Sequence, residues 1–283
     1  MIDTLVLSGG STSGISYIGA IQALFEQNIL SKDLHGIKHI ITCSAGIFFS
    51  ILLIIGVNLS VIEKVNQVYD YSDMLQVKDI HIDNILLNFG IFTNEKVGDF
   101  ISTFLKHTIH KDTLTLSEFY QLYKIKLTVK VCNLTTSKIE YINHETDPTM
   151  DLLLLVRMTT CIPILFKPIP YNNYLYVDGG IKNGYPIEYL DSENFLGIKI
   201  SSQKTVQESP IPFLNFLKSL FMCEEKTFYQ DKYNQKTIHL QINNSILNFN
   251  LSEEQKKDII LQGYNQTLTH IKTHTSAFTN ETH

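Results

Sequence analysis

A five-residue phrase, Thr42–Gly46, constrains the fold of this chain more than any other part of it. The isoleucine-rich run before it, Ile37–Ile41, predicts a buried strand, and the uncharged run after it, Ile47–Val57, predicts a buried helix. A serine at such a turn points out of the sheet, beside free backbone N–H groups and the positive end of a helix dipole. The phrase therefore predicts a strand–turn–helix unit that presents the Ser44 hydroxyl as a nucleophile.

Two further phrases supply what a serine nucleophile needs. Ser8–Gly14 is a loop of glycine, serine and threonine, and glycine lets its backbone N–H groups approach and stabilise an oxyanion. Asp178 precedes Gly179 and Gly180, which provide a tight turn after a carboxylate. A carboxylate with an ordinary pKa of about 3.9 is a weak base, so the site must raise that pKa or work through a preformed hydrogen bond.

The order of the predicted elements indicates the fold class. A strand at Leu5–Leu7, a helix at Ile15–Gln27 and the strand–turn–helix unit begin an α/β protein with a mostly parallel sheet. Later strands are predicted at Leu127–Asn133, Ile139–Ile142, Tyr174–Val177 and Leu196–Ile200, the last being the final clear core strand. We therefore expect a three-layer α/β/α arrangement.

Two helix starts and the domain limits can also be predicted. Asn94 can cap a helix from Glu95, and Ser252 with Gln255 forms a capping box for a final helix. No internal repeat or linker is visible in the 283 residues. We expect a single domain over residues 1–271 and a polar, disordered tail over 272–283.

The amino-acid composition argues against nucleic acid as a partner and indicates the state of the cysteines. A formal net charge of −5 with scattered basic residues gives no electrostatic footprint for nucleic acid. The four cysteines show neither a CxxC pair nor a metal-ligand spacing, so we expect reduced thiols in a cytoplasmic protein. Alternation along the chain points Cys43 away from the Ser44 site.

Two apolar segments each allow a second interpretation. Ile40–Val57 is 18 residues without Asp, Glu, Lys or Arg, near the minimum for a bilayer span, but its central small and polar residues favour a strand, a turn and a core helix. Phe213–Phe221 could cover the core or dock on a membrane, and the scarcity of cations around it favours the core.

The three phrases, in this order, resemble the patterns G-G-G-x-[KR]-G, G-x-S-x-G and D-G-[GA] of the patatin-like phospholipase family. The matching positions are Gly9–Gly14, Thr42–Gly46 and Asp178–Gly180. Intervening segments, including Arg157–Pro168, are also similar, and the resemblance covers roughly residues 4–270.

The resemblance implies a patatin-like fold and a lipid acyl hydrolase of the phospholipase A type. By position, Ser44 is the nucleophile, Asp178 is its base, and the N–H groups of Gly9, Gly10 and Ser11 form the oxyanion hole. Turns at Gly14, Gly46, Gly179 and Gly180 support the site. The implied substrate is a phospholipid or related ester, reached by transient contact of a peripheral protein with a membrane surface. The implied chemistry requires no metal, and we expect no cofactor.

Departures from the family pattern leave alternatives open. Ser11 stands for a glycine and is strained if its φ is positive, Ser13 stands for a basic residue, and Thr42 crowds the turn where a glycine is usual. One alternative is a catalytically inactive lipid-binding or interaction protein on the same scaffold. Another is a Ser-His-Asp esterase that uses His239 or His270.

Overall fold

The computed structural model describes residues 2–75, 87–202, 231–245 and 248–278. The segment Phe213–Phe221 lies outside these ranges. The described strands are β1 (Thr4–Leu7), β2 (His39–Cys43), β3 (Gly90–Phe92), β4 (Lys126–Asn133), β5 (Lys138–Ile142), β6 (Ile164–Phe166), β7 (Ile169–Tyr171), β8 (Tyr174–Asp178), β9 (Phe195–Ser202) and β10 (Thr237–Ile242). The described α-helices are α1 (Ser16–Glu26), α2 (Gly46–Ile54), α3 (Leu59–Val68), α4 (Glu95–Ile109), α5 (Leu116–Tyr123), α6 (Leu152–Thr159), α7 (Asp231–Asn234), α8 (Glu253–Thr273) and α9 (Thr275–Phe278).

A central sheet of eight described strands organises the molecule. Its order is β10-β9-β1-β2-β4-β8-β7, with β5 also paired to β4. The five strands from β10 to β4 are parallel, whereas β5, β7 and β8 pair antiparallel at one side. The predicted α/β class with a mostly parallel sheet is confirmed.

The pairing of β4 brings the ends of two other strands together. Cys43, the last residue of β2, lies opposite Lys130, and Asp178, the last residue of β8, lies opposite the next residue, Val131. Strand β5 occupies the other side of β4 over this stretch. Strands β2 and β8 therefore run toward each other along the same side of β4 and end at adjacent positions.

Side chains alternate between two apolar clusters on the two faces of the sheet. Leu5, Leu7 and Ile40 belong to the large core, which includes α1, α2, α6 and α8. Val6 and Ile41 belong to a smaller cluster with Tyr185, Ile187 and Phe195. This alternation is what a sheet buried on both faces requires.

Several predicted boundaries change in the structure. Strand β2 begins two residues later than predicted, and β10, which pairs with β9, follows the strand predicted to be the last. The tail expected from residue 272 is helical as far as Phe278, because the α8 cap at His274 donates its N–H to the His270 carbonyl and α9 follows it directly.

The two predicted helix caps have different outcomes. Ser252 and Gln255 form the expected capping box at the start of α8. Asn94 stands at the start of α4, but its side chain makes no cap. Its Nδ2 instead donates to the Arg157 carbonyl at 2.6 Å, and its Oδ1 accepts from Arg157 Nε at 3.3 Å. Hydrogen bonds between the start of α4 and the end of α6 therefore take the place of the local cap.

The segment Ile40–Val57 divides into the end of β2, a turn, and the nine-residue α2. Within the described ranges, no helix is both long enough and apolar enough to cross a bilayer. The strand–turn–helix interpretation of this segment is confirmed.

Gly46 allows the start of α2 to lie directly against the end of β1. A Cβ there would lie 2.5 Å from Thr42 Oγ1, 2.7 Å from the Ser8 carbonyl oxygen and 2.9 Å from that of Leu7. The crowding that Thr42 brings to the turn is therefore tolerated because residue 46 has no side chain.

Replacement of Gly46 by alanine should destabilise the protein by about 3 kcal/mol, because two of the three obstructing atoms are backbone. Gly98→Ala in α4 is the matched control, since a Cβ there meets no atom closer than 3.5 Å. That variant should gain about 0.5–1 kcal/mol from reduced backbone entropy. Urea midpoints of the two variants and the wild type measure both effects, and equal midpoints would contradict this account of the turn.

Candidate active site

Ser44 is held in a left-handed backbone conformation, with φ of 50°. This conformation is costly for a residue other than glycine, by about 1–3 kcal/mol, and persists only where the surroundings fix it. Here the Ser44 N–H donates to Thr159 Oγ1 at 2.8 Å, and α2 begins two residues later. Strand, turn and helix thus present the Ser44 side chain as the sequence predicts.

The Ser44 hydroxyl meets the Asp178 carboxylate directly. Ser44 Oγ donates to Asp178 Oδ2 at 2.5 Å, although 134 residues separate the two positions. The second carboxylate oxygen, Oδ1, accepts the Gly180 N–H at 2.7 Å, and both side chains are buried. Each carboxylate oxygen therefore has a hydrogen-bond donor. The bond from Gly180 to Oδ1 orients the carboxylate so that Oδ2 accepts from the Ser44 hydroxyl.

Burial sets the proton affinity of Asp178. Desolvation raises the pKa of this carboxyl to about 6, while hydrogen bonds from Ser44, Gly180 and Cys43 and the charge of Lys130 act in the opposite direction. The carboxylate is thus a better base than an exposed aspartate and is still ionised near neutral pH.

The glycine-rich loop passes directly over Ser44. A Cβ on Gly9 would lie 2.9 Å from Ser44 Cβ and 3.6 Å from its Oγ, so only glycine permits this approach. The Gly9 N–H donates to the Gly184 carbonyl at 2.9 Å. The N–H groups of Gly10 and Ser11 have no hydrogen-bond acceptor within the described ranges.

The backbone at Ser11 is strained, as the sequence comparison with the family pattern predicts for a positive φ. Its φ is 49°, in the region that favours glycine. Ser11 also begins the 3-10 turn Ser11–Ile15, in which the Ser13 N–H donates to the Gly10 carbonyl at 3.0 Å. The loop therefore keeps a glycine-like conformation without the glycine.

Buried hydroxyls hold this loop from below. Ser8 Oγ donates to the Gly9 carbonyl at 2.8 Å and accepts the Ile200 N–H at 2.8 Å. Tyr17 OH donates to the Ser8 carbonyl at 2.7 Å. The loop is thereby fixed to both β9 and α1.

A segment near the C-terminus covers the same loop. Thr12 Oγ1 donates to the Asn248 carbonyl at 2.9 Å, and Asn244 Nδ2 donates to Thr12 Oγ1 at 3.1 Å. Asn244 Nδ2 also lies 3.4 Å from Ser13 Oγ. Ser13, which stands where the family has a cation, is fully buried and faces an amide instead.

The remaining predicted turns lie around the pair. Gly14 is in the 3-10 turn of the loop, where a Cβ would lie 3.2 Å from Ala45 Cβ. Gly179 and Gly180 begin the 3-10 turn that follows Asp178. A Cβ on Gly179 would lie 2.7 Å from the Lys130 carbonyl oxygen, which accounts for a glycine there.

A buried lysine holds the chain beyond Asp178. Lys130 Nζ donates to the carbonyls of Lys182 at 2.7 Å and Asn183 at 2.8 Å, and it forms an ion pair with Glu188. The next residue along, Gly184, is the acceptor of the Gly9 N–H. Lys130 therefore connects the Asp178 turn to the glycine-rich loop, a role that sequence reasoning missed.

Cys43 lies closer to the pair than the sequence predicts. Its Sγ is 3.8 Å from Asp178 Oδ1, so the expectation that alternation points it elsewhere is wrong. Strand β2 ends at Cys43, and β8 ends at Asp178 beside it, which places the carboxylate next to this thiol. Burial, followed by the charge of Asp178, raises the pKa of this thiol well above its ordinary value. Cys43 is thus an un-ionised thiol rather than a nucleophile.

An apolar pocket opens beside Ser44. The space between its walls, mouth included, is about 730 Å³. Its polar members near Ser44 come from the glycine-rich loop, and most of the rest of its wall is apolar. The apolar lining residues are Ile15, Ala45, Phe48, Phe49, Leu52, Met74, Val97, Phe100, Ile162, Phe166 and Phe249. Such a lining suits a hydrocarbon chain.

The two histidines of the alternative triad lie on other elements. His239 is exposed on β10, and His270, on α8, interacts with the Gln235 carbonyl at 3.0 Å. The Ser44 hydroxyl donates its hydrogen bond to Asp178 directly. In a Ser-His-Asp triad this bond would go to the histidine.

The fold is that of a mixed α/β protein with a serine–carboxylate pair beside an apolar pocket, and comparison with known sequences gives the family. The sequence model of the family described as patatin-like phospholipase matches residues 5–191, about two thirds of the chain. The chain belongs to the patatin-like phospholipase family and is a lipid ester hydrolase. The Asn244 and Phe249 contacts described above lie beyond the matched residues.

Two viral proteins are similar over most of their length. The protein named "Probable lipid hydrolase 463L" of Invertebrate iridescent virus 6 is 27% identical over 227 residues, covering 80% of this chain and 73% of its own. A protein of Acanthamoeba polyphaga mimivirus whose name gives no function is 25% identical over 271 residues. The match covers 90% of this chain and 89% of the viral protein.

Solved structures with the same fold include two bacterial proteins. VipD from Legionella pneumophila superposes with a TM-score of 0.65 at 19% identity, over 96% of this chain and 67% of its own. ExoU of Pseudomonas aeruginosa, in complex with SpcU, superposes with a TM-score of 0.55 at 13% identity. The superposition covers 96% of this chain and 52% of the ExoU chain. At these identities the likeness establishes the fold.

Replacing Asp178 with a neutral residue should stabilise the protein at pH values above the pKa of the Asp178 carboxyl. The folded-state pKa of about 6 exceeds the unfolded value of about 3.9, so ionisation of Asp178 opposes folding at neutral pH. Asp178→Asn should raise the free energy of unfolding at pH 7.5 by on the order of 2–3 kcal/mol. The gain should shrink as the pH falls from about 6 to about 4, because the wild-type carboxyl is protonated in the folded state over this range, and it should be lost below both pKa values, where the carboxyl is protonated in both states. Urea denaturation across this range measures it, and a pH-independent difference would contradict it.

Proposed function

We propose that the chain cleaves fatty acyl esters of phospholipids or related lipids, with Ser44 as nucleophile and Asp178 as its base. The observation that carries this proposal is the 2.5 Å hydrogen bond between Ser44 Oγ and Asp178 Oδ2, at a serine that lines an apolar pocket. Backbone strain at Ser44 and a buried charge at Asp178 both cost folding free energy. Their occurrence together beside an apolar pocket is typical of a functional site.

In the first half-reaction the Ser44 proton moves to Asp178 Oδ2 while Oγ attacks the ester carbonyl carbon. The carbonyl oxygen becomes an oxyanion. Asp178 then returns the proton to the departing alcohol, the bond between the carbonyl carbon and that alcohol's oxygen breaks, and the acyl group stays on Ser44. In the second half-reaction water gives a proton to Asp178 and attacks the acyl carbon, and the proton returns to Ser44 as the fatty acid leaves.

The oxyanion hole is proposed at Gly10 and Ser11. Their N–H groups have no acceptor among the described residues, whereas the Gly9 N–H is bonded to Gly184. Of the three donors expected from the family pattern, Gly9 therefore has a packing role in this conformation, since it lets the loop approach Ser44. Loss of one such donor typically reduces the rate about 10²–10³-fold.

The pocket supports a lipid as the substrate. Its apolar wall can bury an acyl chain while the ester group remains beside Ser44. Because such esters are held in membranes, we propose transient contact with a lipid surface by a peripheral protein. The unpaired Cys43, Cys132 and Cys161 thiols favour a reducing, cytoplasmic setting. We further propose that residues 1–271 act as one domain.

Ser44→Ala and Asp178→Asn should each abolish release of free fatty acid from mixed phospholipid vesicles. The first removes the nucleophile, and the second removes the base while keeping the shape of the side chain. Fatty acid is quantified against the wild type at equal folded concentration, and Ser201→Ala, which changes a half-buried strand hydroxyl bonded to the Leu240 carbonyl at 3.5 Å, is the control.

Fluorophosphonate labelling separates the alternatives. A wild-type protein that neither releases fatty acid nor labels at Ser44 would instead be an inactive member of the family. Loss of hydrolysis in His239→Ala, with labelling of Ser44 retained, would favour the histidine triad over the proposed dyad.

Activity should depend on pH through Asp178. The base must be ionised, so kcat/KM for a water-soluble ester should be level above about pH 7 and fall about tenfold per unit below about pH 5. The midpoint should lie near the raised pKa of about 6 rather than near 4. A profile that stays level to pH 4.5 would show that another group is the base.

A further inference from the structure

Both members of the pair are fixed by one short segment at the end of α6. Thr159 Oγ1 accepts the Ser44 N–H at 2.8 Å, and two residues later the Cys161 carbonyl accepts the Asp178 N–H at 2.9 Å. The backbone positions of the nucleophile and of the base are therefore set by a common support. None of the three motifs in the sequence contains this segment.

The Thr159 hydroxyl is itself fixed in both of its hydrogen bonds. It donates to the Lys130 carbonyl at 2.8 Å while accepting from Ser44, and the residue is fully buried. A hydroxyl that donates in one direction and accepts from the other has a single favourable rotation. The orientation of its lone pair toward the Ser44 N–H is thus determined by strand β4.

This contact acts on the strained part of the turn. Ser44 has a φ of 50°, which surrounding contacts must maintain, and the Thr159 bond is the side-chain contact to its backbone. Without it, a buried N–H is left without an acceptor and the turn is free to relax toward a less strained conformation. Relaxation would move Oγ relative to Asp178, and displacement of a catalytic atom by about 1 Å can cost about 10²-fold in rate.

We propose that Thr159 is a positioning residue for the reaction, whose hydroxyl couples the Ser44 turn to strand β4 and so sets the contact with Asp178. This inference rests on the proposed function. Thr159 touches neither the substrate pocket nor the reacting oxygen, so it acts through Ser44.

Helix α6 is in turn secured to α4. The reciprocal contacts between Asn94 and Arg157, at 2.6 and 3.3 Å, lie two residues before Thr159. The end of α6 is therefore tied to the start of α4 by side-chain hydrogen bonds, which Asn94 makes in place of a local cap.

The test compares variants that keep or remove the hydroxyl. Thr159→Val preserves shape and removes the hydroxyl, and Thr159→Ser preserves the hydroxyl. Thr128→Val is the matched control, because Thr128 is equally buried on β4 and its hydroxyl contacts His39 Nε2 at 2.8 Å, away from the pair. Each is assayed on p-nitrophenyl butyrate for kcat and KM, and for the rate of fluorophosphonate labelling per folded molecule.

Thr159→Val should lower kcat and the labelling rate about 10²-fold with KM changed less than about threefold, because binding is untouched. Thr159→Ser should retain at least about a third of the wild-type kcat. Thr128→Val should lose stability and keep a kcat within about twofold of the wild type. This split between kcat and KM, with rescue by serine, is not what a general loss of stability produces.

A wild-type kcat in Thr159→Val, or equal losses in Thr159→Val and Thr159→Ser, would overturn the inference and leave the proposed function standing. A wild type no more active than Ser44→Ala would instead overturn the proposed function. If Thr159→Val does not fold, Thr159→Ala takes its place, and the same comparison with Thr159→Ser decides.

Discussion

The hydrogen bond from Ser44 to Asp178 is the interaction on which the rest of the site depends. It joins two positions 134 residues apart at 2.5 Å. It exists because β2 and β8 approach each other along one side of β4 and end at Cys43 and Asp178, opposite consecutive residues of β4. The antiparallel pairing of β8 with β4 thus has a chemical consequence, because it brings the Asp178 carboxylate to the end of β2, the strand that leads into Ser44.

The surrounding structure maintains conformations that are individually unfavourable. Ser11 and Ser44 have positive φ angles, and Asp178 is buried with a raised pKa. Ser44 and Asp178 are each held by hydrogen bonds to neighbouring groups, since the Thr159 hydroxyl accepts the Ser44 N–H and the Gly180 N–H donates to the Asp178 carboxylate. Strain and buried charge concentrated at one place, beside an apolar cavity, are typical of a site selected for chemistry rather than for stability.

Much of the fold and the two central residues could be predicted from the sequence, because the signals are local. An apolar strand, a small-residue turn and an apolar helix identify Ser44, and Asp178 stands before two glycines at the end of a predicted strand. The supporting contacts could not be predicted in this way. Thr159 and Lys130 act through contacts with residues distant in the chain, and Asn94 has the residue type and position of a cap but bonds to Arg157 instead. The bond from the Gly9 N–H to Gly184 likewise depends on how two loops meet.

The most direct test of the account is an experimental structure of the wild-type protein after reaction with an alkyl fluorophosphonate. The proposed mechanism predicts a covalent bond from phosphorus to Ser44 Oγ, the phosphoryl oxygen within hydrogen-bond distance of the Gly10 and Ser11 N–H groups, and the alkyl chain in the pocket bounded by Phe48 and Phe100. An adduct on a residue other than Ser44, or a phosphoryl oxygen directed away from the glycine-rich loop with Asp178 out of reach, would contradict it.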